Sequence, residues 1–323
     1  LQKGGLAAAS SSFFAALKAA FGAFDVVHFH AEGPCAMIWL PKLLGKKCIA
    51  TVHGLDHQRA KWGGFASKYI YFGEKCAVKF ADEIIVLSEN VRDYFKEKYD
   101  RETVFIPNGV IRAGKKDASE IENKFSLKKD GYILFLGRLV PEKGIRYLIE
   151  AYKDVDTDKK LVIAGGSSDT DEFAAELRLI SAEDPRIIFT GFVQGRVLEE
   201  LYSNAYVYVL PSDLEGMPLS LLEAMSYGNC CLTSDIPECA KVINEYGLTF
   251  SKSDTEDLKN KLQYLCNNSQ TVENFKAKST DYICERYSWH DVVKKTLQLY
   301  EAGDDKKSDL FEKEEKNESL VGK

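Results

Sequence analysis

Short apolar runs alternate with segments of helical spacing along most of this 323-residue chain. In its first third, runs rich in β-branched and aromatic residues predict four strands, at 25–30, 48–53, 83–87 and 103–106. Each run is apolar almost throughout instead of alternating, which is typical of strands covered on both faces by helices. The pattern therefore predicts a doubly wound, parallel α/β unit with right-handed crossovers.

A second series of strands follows a polar interval. The Lys-rich residues 111–130 show no periodic apolar face, which predicts a linker. Beyond it, the same kind of apolar run recurs and predicts six further strands, at 132–139, 159–166, 186–191, 206–212, 229–235 and 247–250. These strands alternate with helical segments, so a second doubly wound sheet is expected.

The expected organisation has two α/β domains, because 323 residues exceed a comfortable single core. Residues 255–301 carry helical spacing, whereas the charged residues after them lack any apolar period. The predicted segments are an N-terminal domain at 1–110, a linker at 111–130, a C-terminal domain at 131–280, a C-terminal helix at 281–302 that can cross back to the first domain, and a disordered tail at 303–323.

Composition narrows the class of protein. With 45% apolar residues, 28% charged residues and a formal net charge of −6, the chain is typical of a soluble globular protein and offers no electrostatic case for nucleic-acid binding. Its eight cysteines include no C-x-x-C spacing, which favours reduced thiols and a cytoplasmic location. No apolar stretch is long enough to cross a bilayer, and the first residues do not resemble an export signal.

An acidic pair brackets the segment EGMPLSLLE, which directly follows the strand predicted at 206–212. Pro218 suits the first turn of a helix, where its missing N–H costs nothing, and Leu219 begins an apolar face behind it. Glu215 then belongs to the loop and Glu223 to the second helical turn. For an isolated pair, the simpler interpretation is a helix cap and a solvated carboxylate.

The backbone at the start of this helix favours an anionic or hydroxyl-rich ligand. The free amides of Gly216, Met217 and Leu219 are expected to point toward such a ligand, and the positive end of the helix dipole adds to the attraction. A pocket of this kind suits a sugar nucleotide.

The stretch YVYVLPSDLEGMPLSLLEAMSYGNCCLTSD, residues 206–235, closely resembles the donor-site signature of retaining glycosyltransferases of the GT4 type. The resemblance extends over residues 12–300 and implies an α/β fold of the GT-B type, in which two doubly wound, Rossmann-like domains face each other across a cleft. Compared with the usual first domain of this family, roughly sixty residues are expected to be absent before residues 25–30, so the first domain is expected to be incomplete and its binding of the acceptor to be affected.

The same resemblance implies roles for the loop GRLVPEKG, residues 137–144. In the family, the residues matching Arg138 and Lys143 hold the donor diphosphate, which suits a bidentate guanidinium and a compact ammonium; in isolation both would be interpreted as surface cations. Glu223 is expected to accept hydrogen bonds from the donor ribose, and Glu215 from sugar hydroxyls near the reacting carbon. No D-x-D motif directly follows a strand, and no carboxylate cluster suits a divalent ion, so neither a metal nor a cofactor is expected.

Three more residues are assigned by resemblance. His53 ends a predicted strand at the carboxyl edge of the first sheet, where the family often has a histidine facing the donor sugar or the acceptor. The alternative is a histidine packed against the next loop. Phe192 and Val193 match the region that holds the donor base, with ordinary core packing as the alternative.

Two patterns suggest further contacts. His28 and His30 share one face of a strand, which is compatible with a metal site, although no third ligand can be identified. Residues 59–80 mix lysines with aromatic residues, as in a helix on an anionic membrane surface, or simply in a helix with its aromatic face in the core.

The leading hypothesis is a metal-independent, retaining glycosyltransferase that moves a hexosyl group from a nucleotide diphosphate sugar to a saccharide or lipid-linked acceptor. Bacterial cell-surface polysaccharide synthesis is the expected setting, in the cytoplasm or on the inner face of the membrane. Two alternatives stay open: a donor-binding module that is inactive alone because its first domain is incomplete, and a GT-B-like sugar nucleotide epimerase.

Overall fold

A computed structural model describes residues 4–55, 64–166 and 171–301. In these residues the chain forms two parallel sheets with helices packed on them, and all ten predicted strands are present. The first sheet has the order β1-β2-β3-β4, and its members are β1 (Val26–His30), β2 (Lys47–Val52), β3 (Glu83–Val86) and β4 (Val104–Phe105).

The second sheet has the order β10-β9-β8-β5-β6-β7 and is also parallel. Its strands are β5 (Tyr132–Leu136), β6 (Lys160–Ala164), β7 (Ile187–Gly191), β8 (Val207–Leu210), β9 (Cys230–Ser234) and β10 (Leu248–Phe250). The chain runs outward from β5 to β7 and then returns to place β8 on the other side of β5. In open α/β sheets, ligands bind in the crevice at the carboxyl ends of the strands beside such a reversal, and here those strands are β5 and β8.

The helices associated with the first sheet are α1 (Gly4–Phe21), α2 (Glu32–Cys35), α3 (Trp39–Leu43), α4 (Gly64–Phe80) and α5 (Glu89–Tyr99). Their apolar side chains pack on one face of the sheet, with Phe29, Ile84 and Phe95 in the resulting core. The start of α5 is capped by Ser88, whose hydroxyl accepts a hydrogen bond from the backbone of Val91.

The helices associated with the second sheet are α6 (Glu120–Phe125), α7 (Ile145–Lys153), α8 (Asp171–Ile180), α9 (Gly195–Asn204), α10 (Leu219–Ser226), α11 (Pro237–Ile243), α12 (Thr255–Asn267) and α13 (Ser269–Arg286). Strands β5, β6 and β8 are almost wholly buried, as their unbroken apolar runs predict. The predicted strand pattern and the parallel α/β class are therefore confirmed.

One helix lies within the segment predicted to be a linker. Helix α6 packs on α9, and the backbone N–H groups of Ser119 and Ile121 donate to the buried carboxylate of Glu200, at 2.9 and 3.1 Å. Arg196 also pairs with Glu200, and together these donors lower the pKa of Glu200 to about 2, against the opposing effect of its burial. The sequence pattern missed this helix because it has six residues, of which one, Ile121, is buried.

The last described helix, α14 (Trp289–Glu301), packs on the first sheet. Its Leu299 is buried against Ile49, Ile85 and Ile106 on the face opposite α1–α5. The chain passes from the first sheet to the second near Val110 and returns near Tyr287. These two segments run side by side, since the backbone N–H of Val110 donates to the carbonyl of Tyr287 at 2.7 Å. The domain boundaries drawn from the sequence stay predictions, and the tail predicted at 303–323 lies outside the described residues.

None of the helices in the described part of the chain is long and apolar enough to span a membrane. All eight cysteines are free thiols, and six of them are buried.

Candidate active site

Lys143 and Glu215 meet at the crevice between β5 and β8. The Lys143 ammonium pairs with Oε1 of Glu215, and the Ser212 hydroxyl donates to the same oxygen at 2.6 Å. The side chains of the pair are only 13% and 9% exposed. The structure thus brings together two predicted site residues from different loops and encloses them in a largely desolvated ion pair.

Gly144 allows the two loops to approach. It follows a short 3₁₀ turn at Pro141–Lys143 and has φ of 67°, a conformation that favours glycine. A Cβ atom here would lie 2.0 Å from the carbonyl oxygen of Pro211, so any larger residue would push Lys143 away from Glu215.

Hydrogen bonds from a tyrosine also stabilise the arrangement of these two loops. The Tyr147 hydroxyl, in the first turn of α7, donates to Oδ1 of Asp213 at 2.8 Å and also to the Pro211 carbonyl. The backbone N–H of Asp213 in turn donates to the Glu142 carbonyl at 2.8 Å. Burial, followed by the neighbouring Asp213 carboxylate, raises the pKa of Tyr147, so this hydroxyl stays protonated and donates.

Glu223 lies in the second turn of α10, as predicted. Oε2 of Glu223 accepts a hydrogen bond from the buried Tyr202 hydroxyl at 3.1 Å, and the Tyr202 ring stacks on Tyr227 with centroids 5.3 Å apart. The carboxylate reaches solvent, although partial burial around it raises its pKa. Tyr202 therefore orients the acid without enclosing it.

Pro218 is the N-cap of α10 rather than a residue of its first turn, so the sequence-based placement was wrong by one position. Its φ of −78° suits a helix, but its ψ of 96° is extended, and the helix begins at Leu219. The Pro218 carbonyl still accepts from the backbone of Leu221 and Leu222, as an N-cap does. A missing N–H costs nothing at this position either.

The other predicted donor residues lie along the same edge of the sheet. Arg138 follows β5, is exposed, and forms no ion pair with any described residue. Phe192 and Val193 follow β7; Phe192 is 76% exposed, whereas Val193 is half-buried against the core. Leu219 is 49% exposed at the start of α10. Among the hydrogen bonds and ion pairs of the described residues, none joins these side chains to the Lys143–Glu215 pair.

The loop after β8 also touches the first domain. The backbone of Gly216 lies so close to His53 that a Cβ atom would be 1.7 Å from the His53 carbonyl oxygen. The Met217 sulfur accepts a hydrogen bond from the backbone N–H of Asn108 at 3.0 Å. The Met217 side chain is thus an interdomain contact, which differs from the sequence-based expectation that it acts mainly through its amide.

His53 is part of a group of three histidines at the carboxyl end of the first sheet. His30 Nδ1 and His53 Nε2 are hydrogen-bonded at 3.2 Å, and His28 stacks on His30 with ring centroids 4.3 Å apart. Both ring nitrogens of His28 already bind hydroxyls, those of Tyr300 and Thr51, each at 2.7 Å. In residues 4–55, 64–166 and 171–301, no group of three or more His, Cys, Asp or Glu side chains has an arrangement that could hold a metal ion.

The basic, aromatic segment at 59–80 is described only from residue 64. Its acid, Glu74, is buried in α4 and accepts hydrogen bonds from the hydroxyls of Tyr94 and Tyr99 and from Lys98. Phe72 and Lys68, in contrast, are exposed. One face of α4 is therefore anchored in the domain, while the other is open.

Sequence reasoning missed the residues that hold the site in place. Tyr147 and Tyr202 lie on α7 and α9, far along the chain from the acids they support, and only the packing of these helices reveals their role. Ser212 carried a weak signal, since it stands three residues before Glu215 in the Pro-Ser pair that ends the strand.

The family model described as Glycosyl transferases group 1 matches residues 117–282, just over half of the chain, and the model described as Glycosyltransferase Family 4 matches residues 3–112. The chain belongs to the glycosyl transferases group 1 family. It is thus a glycosyltransferase, and the crevice at β5 and β8 lies within the part that the group 1 model matches.

Relatives of this group 1 glycosyltransferase are spread across bacteria and archaea. An uncharacterized glycosyltransferase of Methanocaldococcus jannaschii is 25% identical over 303 residues, covering 86% of this chain and 75% of that protein. The alpha-maltose-1-phosphate synthase of Mycolicibacterium smegmatis is 25% identical over 307 residues, covering 86% of this chain and 79% of that protein.

Solved structures share the fold of the group 1 glycosyltransferase. Sucrose-phosphate synthase from Thermosynechococcus elongatus superposes with a TM-score of 0.76 at 23% identity, covering 89% of this chain and 75% of that chain. Anabaena HepE in complex with UDP-glucose gives a TM-score of 0.78 at 14% identity, covering 90% of this chain and 81% of that chain. The predicted GT-B fold is therefore confirmed.

Proposed function

We propose that the protein is a retaining, metal-independent hexosyltransferase that moves a sugar from a nucleotide diphosphate donor to a saccharide or lipid-linked acceptor. The observation that carries this proposal is the contact between Lys143 and Glu215 at the crevice of the second sheet. A cation for the leaving diphosphate and an acid for the sugar lie side by side where α/β sheets bind ligands.

In the proposed transfer, two cationic residues assist the departure of the diphosphate. The bond between the anomeric carbon and the diphosphate oxygen breaks, its electron pair stays on the diphosphate, and the acceptor oxygen bonds to the same carbon. Arg138 and Lys143 stabilise the charge that develops on the leaving group. The acceptor proton passes to the leaving phosphate, on the face from which the sugar is transferred, so the anomeric configuration is retained.

The remaining residues hold the donor. Glu223 accepts hydrogen bonds from the ribose hydroxyls, with Tyr202 fixing one of its oxygens. Phe192, exposed beyond β7, contacts the base together with Val193. The amides of Gly216, Met217 and Leu219 face the diphosphate sugar at the start of α10. His53 approaches the sugar from the first domain.

Similar proteins support a nucleotide sugar donor and a role in polysaccharide synthesis. HepE has been crystallised with UDP and with UDP-glucose. An Escherichia coli O-antigen chain mannosyltransferase B is 26% identical over 181 residues, covering 55% of this chain and 47% of that protein. We infer that the enzyme takes part, in the cytoplasm, in the synthesis of cell-surface polysaccharide. We also infer that the exposed Lys68 and Phe72 of α4 contact the inner face of the membrane.

The test is incubation of the chain with a panel of UDP, GDP and dTDP sugars, with metal chelated and with metal added. We expect one donor to be bound and hydrolysed, and a double variant, Arg138→Ala with Glu223→Ala, to lose this activity. Glu176→Ala is the matched control, because it removes an exposed acid that pairs only at the surface with Arg146. Hydrolysis equal in wild type and double variant would contradict the donor site.

Analysis of the products tests the stereochemistry of the transfer and distinguishes a transferase from an epimerase. An axial or equatorial anomeric proton, read by NMR in the transferred sugar, establishes retention or inversion. Conversion of the donor to a different sugar without an acceptor would identify an epimerase instead.

A further inference from the structure

The three histidines of the first sheet form a continuous row. His28 and His30 leave the same face of β1, two residues apart, and stack at 4.3 Å; the rings of His30 and His53 stack next, with centroids 5.4 Å apart. The 3.2 Å hydrogen bond between His30 Nδ1 and His53 Nε2 joins the ends of β1 and β2. The row thus runs from inside the first domain to the residue that touches Gly216.

The inner end of the row is fixed by two hydroxyls. Thr51, the β2 residue in register with His30, binds His28 Nε2, and Tyr300 of α14 binds His28 Nδ1. Tyr300 also meets His28 edge to face, with centroids 5.7 Å apart. Tyr300 thereby connects helix α14, the last described element of the chain, to the row of histidines.

The backbone directly after His30 is strained. Ala31 has φ of 70° and ψ of 158°, a region that residues with a Cβ rarely adopt, while its N–H still donates to the Thr51 carbonyl at 2.9 Å. The final β1–β2 hydrogen bond is therefore kept at the cost of strain. Its effect is to hold His30 at the end of β1 and beside His53.

We propose that His30 is a positioning residue for His53, and that its ring holds the His53 imidazole in one orientation at the cleft. This inference rests on the proposed function, in which His53 faces the donor sugar. A hydrogen bond between two imidazoles needs one N–H and one lone pair, so it couples the tautomer of His53 to that of His30 and holds the orientation of the His53 ring. Burial lowers the pKa of both His28 and His30, which favours their neutral rings and so leaves His30 with one N–H and one lone pair.

The test compares two substitutions of His30. His30→Phe keeps a flat ring in the stack but has no nitrogen, whereas His30→Asn places an amide near the former Nδ1 and can restore the bond. With UDP-glucose as the probe, we expect His30→Phe to lower kcat for hydrolysis by about tenfold with KM unchanged, and His30→Asn to recover most of the loss. A rise in KM alone, or no rescue by His30→Asn, would overturn the positioning role.

A second measurement does not depend on activity. In NMR spectra that correlate the ring nitrogens and protons of histidine, we expect His30→Phe to shift the His53 signals and to mix its tautomers. His290→Phe, an exposed change on α14, is the control and should leave His53 unaltered. Unchanged His53 signals in His30→Phe would overturn the inference, even if UDP-glucose is a good donor. Failure of UDP to bind the wild-type protein, measured by calorimetry, would instead count against the proposed donor site and not against the role of His30.

Discussion

The buried pair of Lys143 and Glu215 combines a structural and a chemical role, which substitution can separate. Lys143→Met leaves the Glu215 carboxylate buried without its cation, and loss of one partner of such a pair costs about 3–5 kcal/mol. We therefore expect a clear fall in the free energy of unfolding, measured in urea, and a loss of about 10²–10³ in transfer rate.

The double variant Lys143→Met with Glu215→Gln distinguishes the two roles. Because the amide carries no charge, we expect most of the lost stability to return, while the rate stays low. A double variant with near wild-type rate would show that Lys143 matters only as the partner of Glu215.

His28 makes the stability of the first domain depend on pH. Burial, followed by the nearby charges of His30 and His53, lowers the pKa of His28 to about 4 in the folded protein, against 6.5 for an ordinary histidine. The unfolded chain thus binds a proton that the folded chain does not between these values, so stability is fully present above pH 6.5 and is lost as the pH falls toward 4. We expect a fall of about 1–3 kcal/mol from this group, with the His28 ring titrating near pH 4 by NMR; titration near 6.5 would contradict the account.

At the scale of elements, the end of β1 is the strained point of the first domain. Ala31 occupies a backbone region that costs about 1–3 kcal/mol for a residue with a Cβ. Ala31→Gly should therefore raise the free energy of unfolding by about 1 kcal/mol, even after the extra entropy that glycine loses on folding.

Ala36→Gly is the matched control for this prediction. Ala36 ends α2 with ordinary helical angles and is buried, so its replacement should destabilise the protein by about 0.5–1 kcal/mol or more. Equal destabilisation by both substitutions, in denaturant melts, would show that Ala31 is not strained.

At the scale of the whole molecule, Gly216 governs how closely the two domains approach. A Cβ at this residue would overlap the His53 carbonyl, a backbone atom that cannot rotate away. We expect Gly216→Ala to keep both domains folded but to separate them, raising the radius of gyration in X-ray scattering and lowering the transfer rate by about 10² or more.

Gly33→Ala serves as the comparison for that experiment. A Cβ at Gly33 meets no atom within 4 Å, so this variant should match wild type in both scattering and rate. If Gly216→Ala scatters like wild type and transfers at the same rate, the contact between Gly216 and His53 does not set the closed arrangement.

The sequence determined the local elements and much of the candidate chemistry. Apolar runs without alternation identify β5, β6 and β8 because the strands of a parallel sheet are covered on both faces. The segment between Glu215 and Glu223 predicted a loop followed by a helix, since an apolar face begins at Leu219. Such signals depend on neighbouring residues, so they can be recognised in one stretch of chain.

Only the tertiary structure decided which residues meet. Lys143 and Glu215 are paired across two loops, His53 is tied to His30 and, through His28, to Tyr300 near the end of the described chain, and Gly216 lies against the first domain. These contacts depend on the order of strands in each sheet and on the path by which α14 returns to the first one. The spacing of residues along the chain specifies neither the strand order nor this path, because close packing brings together side chains that lie far apart in the sequence.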